Sequence, residues 1–243
     1  MDVDLVRIAA PLRAQVEEVL RRAIAEGDLA SGDRLVERTL CERFGVSRPL
    51  LREALRQLEA EHLVEAVPNR GIVVARPTIE DALQLYQVRA ELEGLASRIV
   101  AERGSDRDHD RLVDALAQLE AALAGGDTTA IRQSKNAFYA TLINASGNEV
   151  LAQMLGGLHN RIQLFRSASL AEPGRAAQAV AELRDVLGAI RARDGRRAQS
   201  LTARHLQNAA RVLAAALARA ANRDLTAEER AWIDTTPGLT PDE

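Results

Sequence analysis

The sequence predicts a mainly α-helical protein, with an N-terminal winged helix-turn-helix, including a small β-hairpin wing, followed by an all-α C-terminal helical bundle. Aromatic residues make up only 2% of the 243 residues, so aliphatic side chains must build the cores. Residues 34–74 contain two helical runs, a tight turn and a hairpin, whereas the apolar pattern after residue 78 has a helical period throughout. We therefore expect one domain over residues 1–76, a second over 77–225, and a flexible tail over 226–243.

The helix-turn-helix is indicated by the turn Phe44-Gly45-Val46 and by Ser47, whose hydroxyl can cap the helix that follows. Pro49 is tolerated in the first turn of that helix. Apolar residues recur along it at i, i+3, i+4 and i+7, which makes one face apolar. These residues are Leu51, Ala54, Leu55 and Leu58. One face of the helix is therefore expected to pack, which leaves the others exposed.

Arginines are concentrated in the same segment. Six arginines stand against three acids between residues 34 and 56, a local charge of about +3 in a chain whose net charge is −3. Arg48, Arg52 and Arg56 follow one another at intervals of four on the second helix. This spacing is also typical of an ordinary solvated face. The order of helix, turn, arginine-rich helix and hairpin favours binding in the major groove of DNA.

A hairpin is predicted from residues 63–67 and 72–74, with the turn residues 68–71 between them. Its tip carries Arg70, and a guanidinium group suits both phosphate oxygens and the acceptor edge of guanine. We expect contacts to double-stranded DNA from the second helix, from its N-terminus and from this wing. The expected residues are Arg38, Ser47, Arg48, Pro49, Leu50, Arg52, Arg70 and Gly71.

Several motifs of this segment occur in a fixed order. They are Gly27, Leu29, Gly32 and Leu35, then Val46-Ser47-Arg48, then Arg52-Glu53-Ala54-Leu55 with Leu58-Glu59, and finally Gly71. Over residues 12–75 the pattern resembles the DNA-binding domain of GntR-superfamily transcription regulators. Two positions depart from the family. Pro49 lies one residue earlier than the usual proline, and His62 stands where the family usually has glycine.

Six helical segments are predicted after the chain break at Arg76-Pro77, separated by glycine, proline, asparagine and aspartate. They span residues 79–102, 109–123, 129–145, 149–168, 176–193 and 195–222. Three motifs lie on them, at residues 88–93, 138–148 and 203–206. Over residues 78–218 this part resembles the FCD effector-binding domain found in the FadR branch of GntR regulators. Six helices rather than seven place it with the shorter, VanR-like subgroup.

The resemblance allows a test for a metal site, because many FCD domains hold a divalent metal with one aspartate and three histidines. Here the aspartate position falls on Lys135, and the first two histidine positions fall on Tyr139 and Leu183. Only the third histidine is present, as His205. An ammonium, a phenol and an aliphatic side chain do not coordinate zinc or nickel at neutral pH, so we expect no metal and no cofactor.

Lys135 is the only lysine among the 32 basic residues of the chain. We hypothesise that its charge replaces the missing metal ion and neutralises the acidic group of an effector. The expected effector-binding residues are Arg89, Lys135, Asn136, Tyr139 and His205. The alternative is that Lys135 extends to solvent and the cavity binds a neutral molecule, or nothing.

The expected function is that of a homodimeric repressor released from a palindromic operator by a small acidic metabolite, because two symmetric reading helices match a palindrome. An architectural or constitutive DNA-binding repressor without an effector is the alternative. An enzyme is a remote third option, since the sequence offers no Ser-His-Asp set and no glycine-rich phosphate loop. No apolar run of about 18 residues and no export signal are present, which predicts a cytoplasmic protein without membrane contact.

Overall fold

The computed structural model describes residues 9–26, 28–76, 78–170 and 172–235, which form two compact units. The first unit comprises the described residues before 77 together with 157–164. The second unit comprises residues 78–156 and the described residues from 165 onward.

The first unit is a winged helix-turn-helix. Its elements are α1 (Ala9–Glu26), α2 (Glu37–Phe44), α3 (Arg48–Ala60), β1 (Val64–Val67) and β2 (Gly71–Val74). The two strands pair antiparallel, with Val64 opposite Val74 and Val67 opposite Gly71. Aliphatic side chains from all these elements form one core, which includes Leu20, Leu40, Leu51, Leu55, Leu58 and Val74. The predicted fold of this segment is confirmed.

Backbone conformation explains the turn residues of the first unit. Gly45 ends α2 with a left-handed φ of 64°, and its N–H donates to the carbonyl of Cys41. At the wing tip, Asn69 and Gly71 also have positive φ, at 63° and 81°. His62, between α3 and β1, has a φ of 56°. A side chain is disfavoured in this region, which accounts for the glycine usual at this position in the GntR-superfamily pattern that the segment resembles.

The secondary structure of the second unit, over its described residues, consists of helices, as predicted. Its helices are α4 (Ile79–Arg103), α5 (Asp106–Gly125), α6 (Thr128–Ala145), α7 (Glu149–Leu170, apart from residues 157–164), α8 (Arg175–Arg191), α9 (Gly195–Ala220) and α10 (Ala227–Thr235). Capping boxes start α4 and α5, at Thr78 with Asp81 and at Ser105 with Asp108. None of the helices in the described ranges combines the length and the apolar character needed to cross a membrane.

Small residues let α4 and α9 lie close together. Gly94 on α4 packs against the side chain of Gln199 on α9. A β-carbon added at Gly94 would lie 3.2 Å from Cγ of Gln199. One turn further on, the hydroxyls of Ser97 and Thr202 form a buried hydrogen bond of 2.7 Å. Ala198, Ala209 and Ala210 of the alanine-rich α9 are also buried. Helices α4 and α9 therefore pack directly against each other, and this packing positions the side chains that they direct into the interior.

Helix α10 corrects the prediction of a flexible tail over residues 226–243. Thr226 and Glu229 cap it reciprocally, with N–H to oxygen distances of 2.7 and 3.1 Å. Ile233 is buried, and α10 contacts α4 and α9. Residues 236–243, the rest of the predicted tail, lie outside the described part of the chain. Seven helices, rather than the six predicted, are therefore described in the second unit, so the helix count does not support the VanR-like subgroup.

Candidate functional site

The first unit presents its predicted DNA-contacting arginines to solvent. Helix α3 buries Leu51, Leu55 and Leu58 almost completely, so its remaining faces are exposed. The arginines expected to contact DNA are all exposed: Arg38, Arg48, Arg52 and Arg70. Neither Arg48 nor Arg70 has a side-chain hydrogen bond or ion pair with the described residues. Their guanidinium groups are therefore available to phosphates and bases without breaking an internal contact.

Arg52 differs from these two because a carboxylate holds it. Its Nε donates to both carboxylate oxygens of Glu37, at 2.9 and 3.1 Å. The hydrogen bond and charge of Glu37 raise the pKa of Arg52, which stays fully protonated. Since the contact uses Nε, the two terminal amino groups of Arg52 make no hydrogen bond within the described residues. Glu37 thus fixes the guanidinium while leaving the edge that can bind a base.

The remaining predicted DNA contacts lie at the start of α3 and at the wing tip. Ser47 is the N-cap of α3, and its hydroxyl accepts from the N–H of Leu50 at 3.5 Å. Ser47, Pro49 and Gly71 are exposed. Leu50 does not match the expectation for a DNA contact through its side chain, because that side chain is half-buried and packs against the hydrophobic core.

Within the second unit, Arg89 and Glu93 form a buried ion pair on α4. Arg89 is 1% exposed, and its Nε donates to the carboxylate of Glu93 at 2.8 Å. The guanidinium carbon also lies 4.5 Å from the ring centre of Tyr86 and 5.8 Å from that of Tyr139. Burial acts to lower the pKa of Arg89, but the charge and hydrogen bond of Glu93, together with Tyr86 and Tyr139, outweigh it and raise that pKa above its ordinary value. Arg89 is therefore a permanent interior cation.

A second buried group joins α8 to α9. Nδ1 of His205 lies 2.5 Å from the carboxylate of Glu182, which also forms an ion pair with Nη1 of Arg175 at 2.9 Å and accepts from the amide of Asn208 at 2.7 Å. Burial acts to raise the pKa of Glu182, but these contacts lower it to about 2. Burial and the positive charge of Lys135 lower the pKa of His205 to about 3. At neutral pH, Glu182 is therefore ionised and His205 is neutral.

Lys135 lies in the interior, with only 4% of its surface exposed, so it does not extend to solvent as the alternative required. Its charge acts on His205, which places the two side chains near each other. Tyr139, one turn further along α6, has its ring centre 6.4 Å from that of His205. Four predicted effector residues therefore lie together: Arg89, Lys135, Tyr139 and His205. Asn136 is half-buried and follows Lys135 on α6.

We call this set the buried polar cluster; it comprises Arg89, Glu93, Lys135, Tyr139, Arg175, Glu182 and His205. Several of its nitrogen atoms are buried and have no hydrogen-bond partner within the described residues. They include Nη1 of Arg89, Nε of Arg175 and Nε2 of His205. A buried polar atom without a partner costs roughly 1–3 kcal/mol, so such atoms are typical of sites that a ligand or an ordered water completes.

Comparison with known proteins agrees with both units. The model of bacterial regulatory proteins of the gntR family matches residues 12–74, and the FCD domain model matches residues 84–208. The chain belongs to the gntR family and carries an FCD domain. It is a DNA-binding transcription regulator and not an enzyme, which removes the remote enzymatic alternative.

Relatives of this gntR-family protein share most of its length. It is 28% identical over 200 residues to the HTH-type transcriptional regulator YdhC of Bacillus subtilis, covering 82% of this chain and 89% of that protein. It is 29% identical over 197 residues to the HTH-type transcriptional repressor GlaR of Escherichia coli, covering 77% and 89%. The solved structure of E. coli McbR/YncC has a TM-score of 0.70 at 24% identity, covering 83% of this chain and 96% of that one. This last likeness supports the fold.

The residues at the metal positions of the FCD domain do not fit a metal ion. Lys135 and Tyr139 occupy two positions, and Leu183, at a third, is part of the hydrophobic interior. At the fourth, His205 bonds Glu182 through Nδ1, and its Nε2 is the single ligand atom that remains of the four positions. No group of three or more histidine, cysteine, aspartate or glutamate side chains able to hold a metal occurs in the described ranges. The positive charge of Lys135 beside His205 further opposes a cation.

Sequence reasoning missed the partners of this cluster in the FCD domain. Glu93 follows Arg89 by four residues on a predicted helix, and that spacing could have indicated the ion pair. Glu182 directly precedes Leu183, yet its side chain reaches His205 on α9. Arg175 carries no sequence signal, because its partners Glu182 and His205 are defined by helix packing. An open cleft of about 500 Å³, lined by Ile99, Arg103 and residues 145–150, contains none of the predicted effector residues.

Proposed function

We propose that this protein is a homodimeric transcription repressor that binds a palindromic operator and is released from it by a small acidic metabolite. The observation that carries the proposal is the group of buried cations in the second unit, where Nη1 of Arg89 and Nε of Arg175 have no acceptor within the described residues. A buried charged donor is costly unless an acceptor satisfies it. The carboxylate of an effector would supply that acceptor. Repression, in particular, agrees with the relative GlaR, which is named a repressor.

The DNA contacts proposed are the arginines Arg38, Arg48, Arg52 and Arg70, with Ser47, Pro49 and Gly71 beside them. Their exposure supports this assignment, and so does the apolar opposite face of α3. One reading helix contacts only a few base pairs, so two copies related by a two-fold axis would read the two halves of a palindrome.

Release by an effector requires differential affinity. The acid must bind the arrangement of two subunits that does not fit the operator more tightly than the arrangement that does. By the same linkage, operator DNA would weaken binding of the acid by the same factor. A constitutive repressor would show neither release from DNA by the acid nor weaker binding of the acid in the presence of DNA. A titration of the acid therefore distinguishes a ligand-responsive repressor from a constitutive one.

The experiment measures binding of the full-length protein to an operator selected from random-sequence DNA, with and without a panel of carboxylic acids. We expect Arg48→Ala to weaken binding about tenfold or more, and Arg56→Ala, on the same helix, to weaken it much less. Lys135→Ala should abolish the response to the acid while DNA binding of the acid-free protein is retained. Arg184→Ala removes an exposed cation from the same unit and serves as its control.

Two results would overturn the proposal. Operator binding by the Arg48→Ala variant equal to that of the parent would exclude the proposed reading helix. A parent protein that no acid stabilises against heat or releases from DNA would be a constitutive repressor, because a ligand that binds the native state raises its melting temperature.

A further inference from the structure

A short segment that precedes α2 pairs with the hairpin of the wing. Backbone hydrogen bonds of 2.8 and 2.9 Å join residues 32–35 to β2, and Arg34 lies directly opposite Val73. Side chains that stand opposite each other in an antiparallel pair share a face, and neighbours along a strand point to opposite faces. Leu35 belongs to the hydrophobic core, so Arg34 projects from the outer face of the wing, where it is exposed.

Val73 is covered although it lies on this outer face. It is only 4% exposed and does not belong to the hydrophobic core of the first unit. The residues opposite it on its two neighbouring segments are Arg34 and Glu65. The aliphatic stem of a long cationic side chain commonly covers an apolar residue while its charged end stays in water. We therefore expect the stem of Arg34 to lie along the surface of the wing, over Val73.

Gly71 leaves room for the charged end of Arg34. It lies two residues before Val73 on β2 and therefore on the same face, and a β-carbon added there would lie 4.0 Å from Nε of Arg34. Arg70 directly precedes Gly71 in the turn of the hairpin. The guanidinium of Arg34 therefore reaches the end of the wing that carries the proposed DNA contacts Arg70 and Gly71.

The same guanidinium is available to an external anion. Arg34 has no side-chain hydrogen bond or ion pair with the described residues, although Glu65 shares its face of the wing. An exposed guanidinium binds phosphate oxygens strongly, and such a contact carries no sequence information. Because its stem lies along the sheet, Arg34 can meet a phosphate that passes the wing but does not extend to the base edges inside a groove.

We propose that Arg34 is a further DNA contact of this protein and binds a backbone phosphate beside the tip of the wing. It increases affinity for any duplex and leaves the choice of sequence to α3. Arg34 lies outside the set of DNA contacts predicted from the sequence. Its role rests on the proposed use of the wing in DNA binding.

The salt dependence of DNA binding tests this role. Each phosphate of duplex DNA that a protein neutralises contributes about 0.9 to the slope of log Kd against log salt concentration. Arg34→Met keeps an unbranched apolar stem over Val73 and removes the charge. In the full-length protein we expect Arg34→Met to lower this slope by about 0.9 for each subunit bound. It should also weaken binding to the selected operator and to an unrelated duplex by the same factor, about threefold or more at low salt.

Two further variants separate the charge of Arg34 from its packing. Arg34→Lys restores a positive charge at this position, so its slope should equal that of the parent protein. Arg22→Met removes an exposed arginine of α1 in the same unit and should leave the slope unchanged. A constant loss of folded protein scales the apparent Kd at every salt concentration and does not by itself alter the slope.

A slope for Arg34→Met equal to that of the parent would overturn the proposal, and so would a lowered slope that Arg34→Lys fails to restore. Weaker binding to the operator alone would show contact with a base and would overturn the assignment to a phosphate. The proposed reading helix is tested separately by Arg48→Ala. If that variant loses affinity for the operator while Arg34→Met behaves like the parent, only the role of Arg34 fails. If both variants bind like the parent, the proposed reading helix fails as well.

Discussion

Arg52 illustrates how one carboxylate can control a DNA-contacting side chain. Glu37 holds Nε of Arg52 at 2.9 and 3.1 Å. The two terminal amino groups are the ones that a guanidinium directs to the O6 and N7 acceptors of guanine, a contact that discriminates between bases by about 1–3 kcal/mol. Without the contact to Glu37, the guanidinium of Arg52 could rotate about its last bond. Arg52 would then lose part of the discrimination between bases but would still bind phosphate.

We therefore predict that Glu37→Gln lowers the preference for the selected operator over a copy with the contacted guanine changed to adenine, by roughly three- to tenfold. Affinity for unrelated DNA should rise slightly, because one negative charge is removed from the binding surface. Glu42→Gln is the matched control. Glu42 is an exposed acid on α2, the helix that carries Glu37, and its carboxylate oxygen lies 3.9 Å from Nε of Arg38. Equal behaviour of the two variants in binding assays at fixed salt would contradict a positioning role for Glu37.

Individual site residues are predictable from the sequence only where their own chemistry makes them unusual. Lys135 stands out as the single lysine of the chain, and His205 as the remaining histidine of a known pattern. The carboxylate that orients His205 has no such mark. Glu182 is one of 35 acidic residues, and only the packing of α8 against α9 brings it within 2.5 Å of the imidazole.

At the scale of helices and strands, local hydrogen-bonding signals determine what the sequence can predict. Helices α4 and α5 begin with capping boxes, and their predicted starts lie within three residues of those observed. Helix α10 begins with the same kind of signal, Thr226 followed by Glu229, but the prolines and glycine after residue 236 favour a flexible tail. Whether these residues form a helix or a flexible tail depends on tertiary packing, namely the burial of Ile233.

We predict that α10 stabilises the second unit through Ile233. Replacing Ile233 by Ala should lower the free energy of unfolding by about 2–4 kcal/mol, the usual effect of truncating a buried aliphatic side chain. Urea denaturation followed by circular dichroism measures the change. Glu228→Ala, an exposed position on the same helix, should change stability by less than about 0.5 kcal/mol. Similar midpoints for both variants would mean that α10 does not stabilise the fold, as expected of a flexible tail.

The stability of the whole molecule should depend on pH through the buried polar cluster. His205 faces Glu182 and Arg175 on α8 and the charge of Lys135 on α6, and burial with these cations lowers its pKa to about 3. In the unfolded chain the pKa of histidine is about 6.5. Between these values the unfolded chain takes up a proton that the folded protein does not, so the free energy of unfolding falls as the pH falls.

Glu182 acts in the same direction but at lower pH. Its pKa, lowered to about 2, stays below the ordinary glutamate value of 4.5, so its contribution is present above pH 4.5 and is lost as the pH falls towards 2. Glu229 on α10, whose hydrogen bond from Arg223 lowers its pKa to about 2, contributes in that lower range as well. The interval between pH 4.5 and 6.5 therefore reports on His205 and not on these two carboxylates.

We predict that the parent protein loses up to about 1.4 kcal/mol of stability per pH unit through His205 in this interval. The His205→Asn variant should show a shallower slope there, because asparagine takes up no proton. Glu229→Gln is the control, and its slope should differ from that of the parent only below pH 4.5. Urea unfolding at half-unit steps from pH 4.5 to 7.5 measures all three slopes. Parallel slopes for the parent and His205→Asn would mean that the folded protein protonates His205 as readily as the unfolded chain does, and that the cluster does not keep this imidazole neutral.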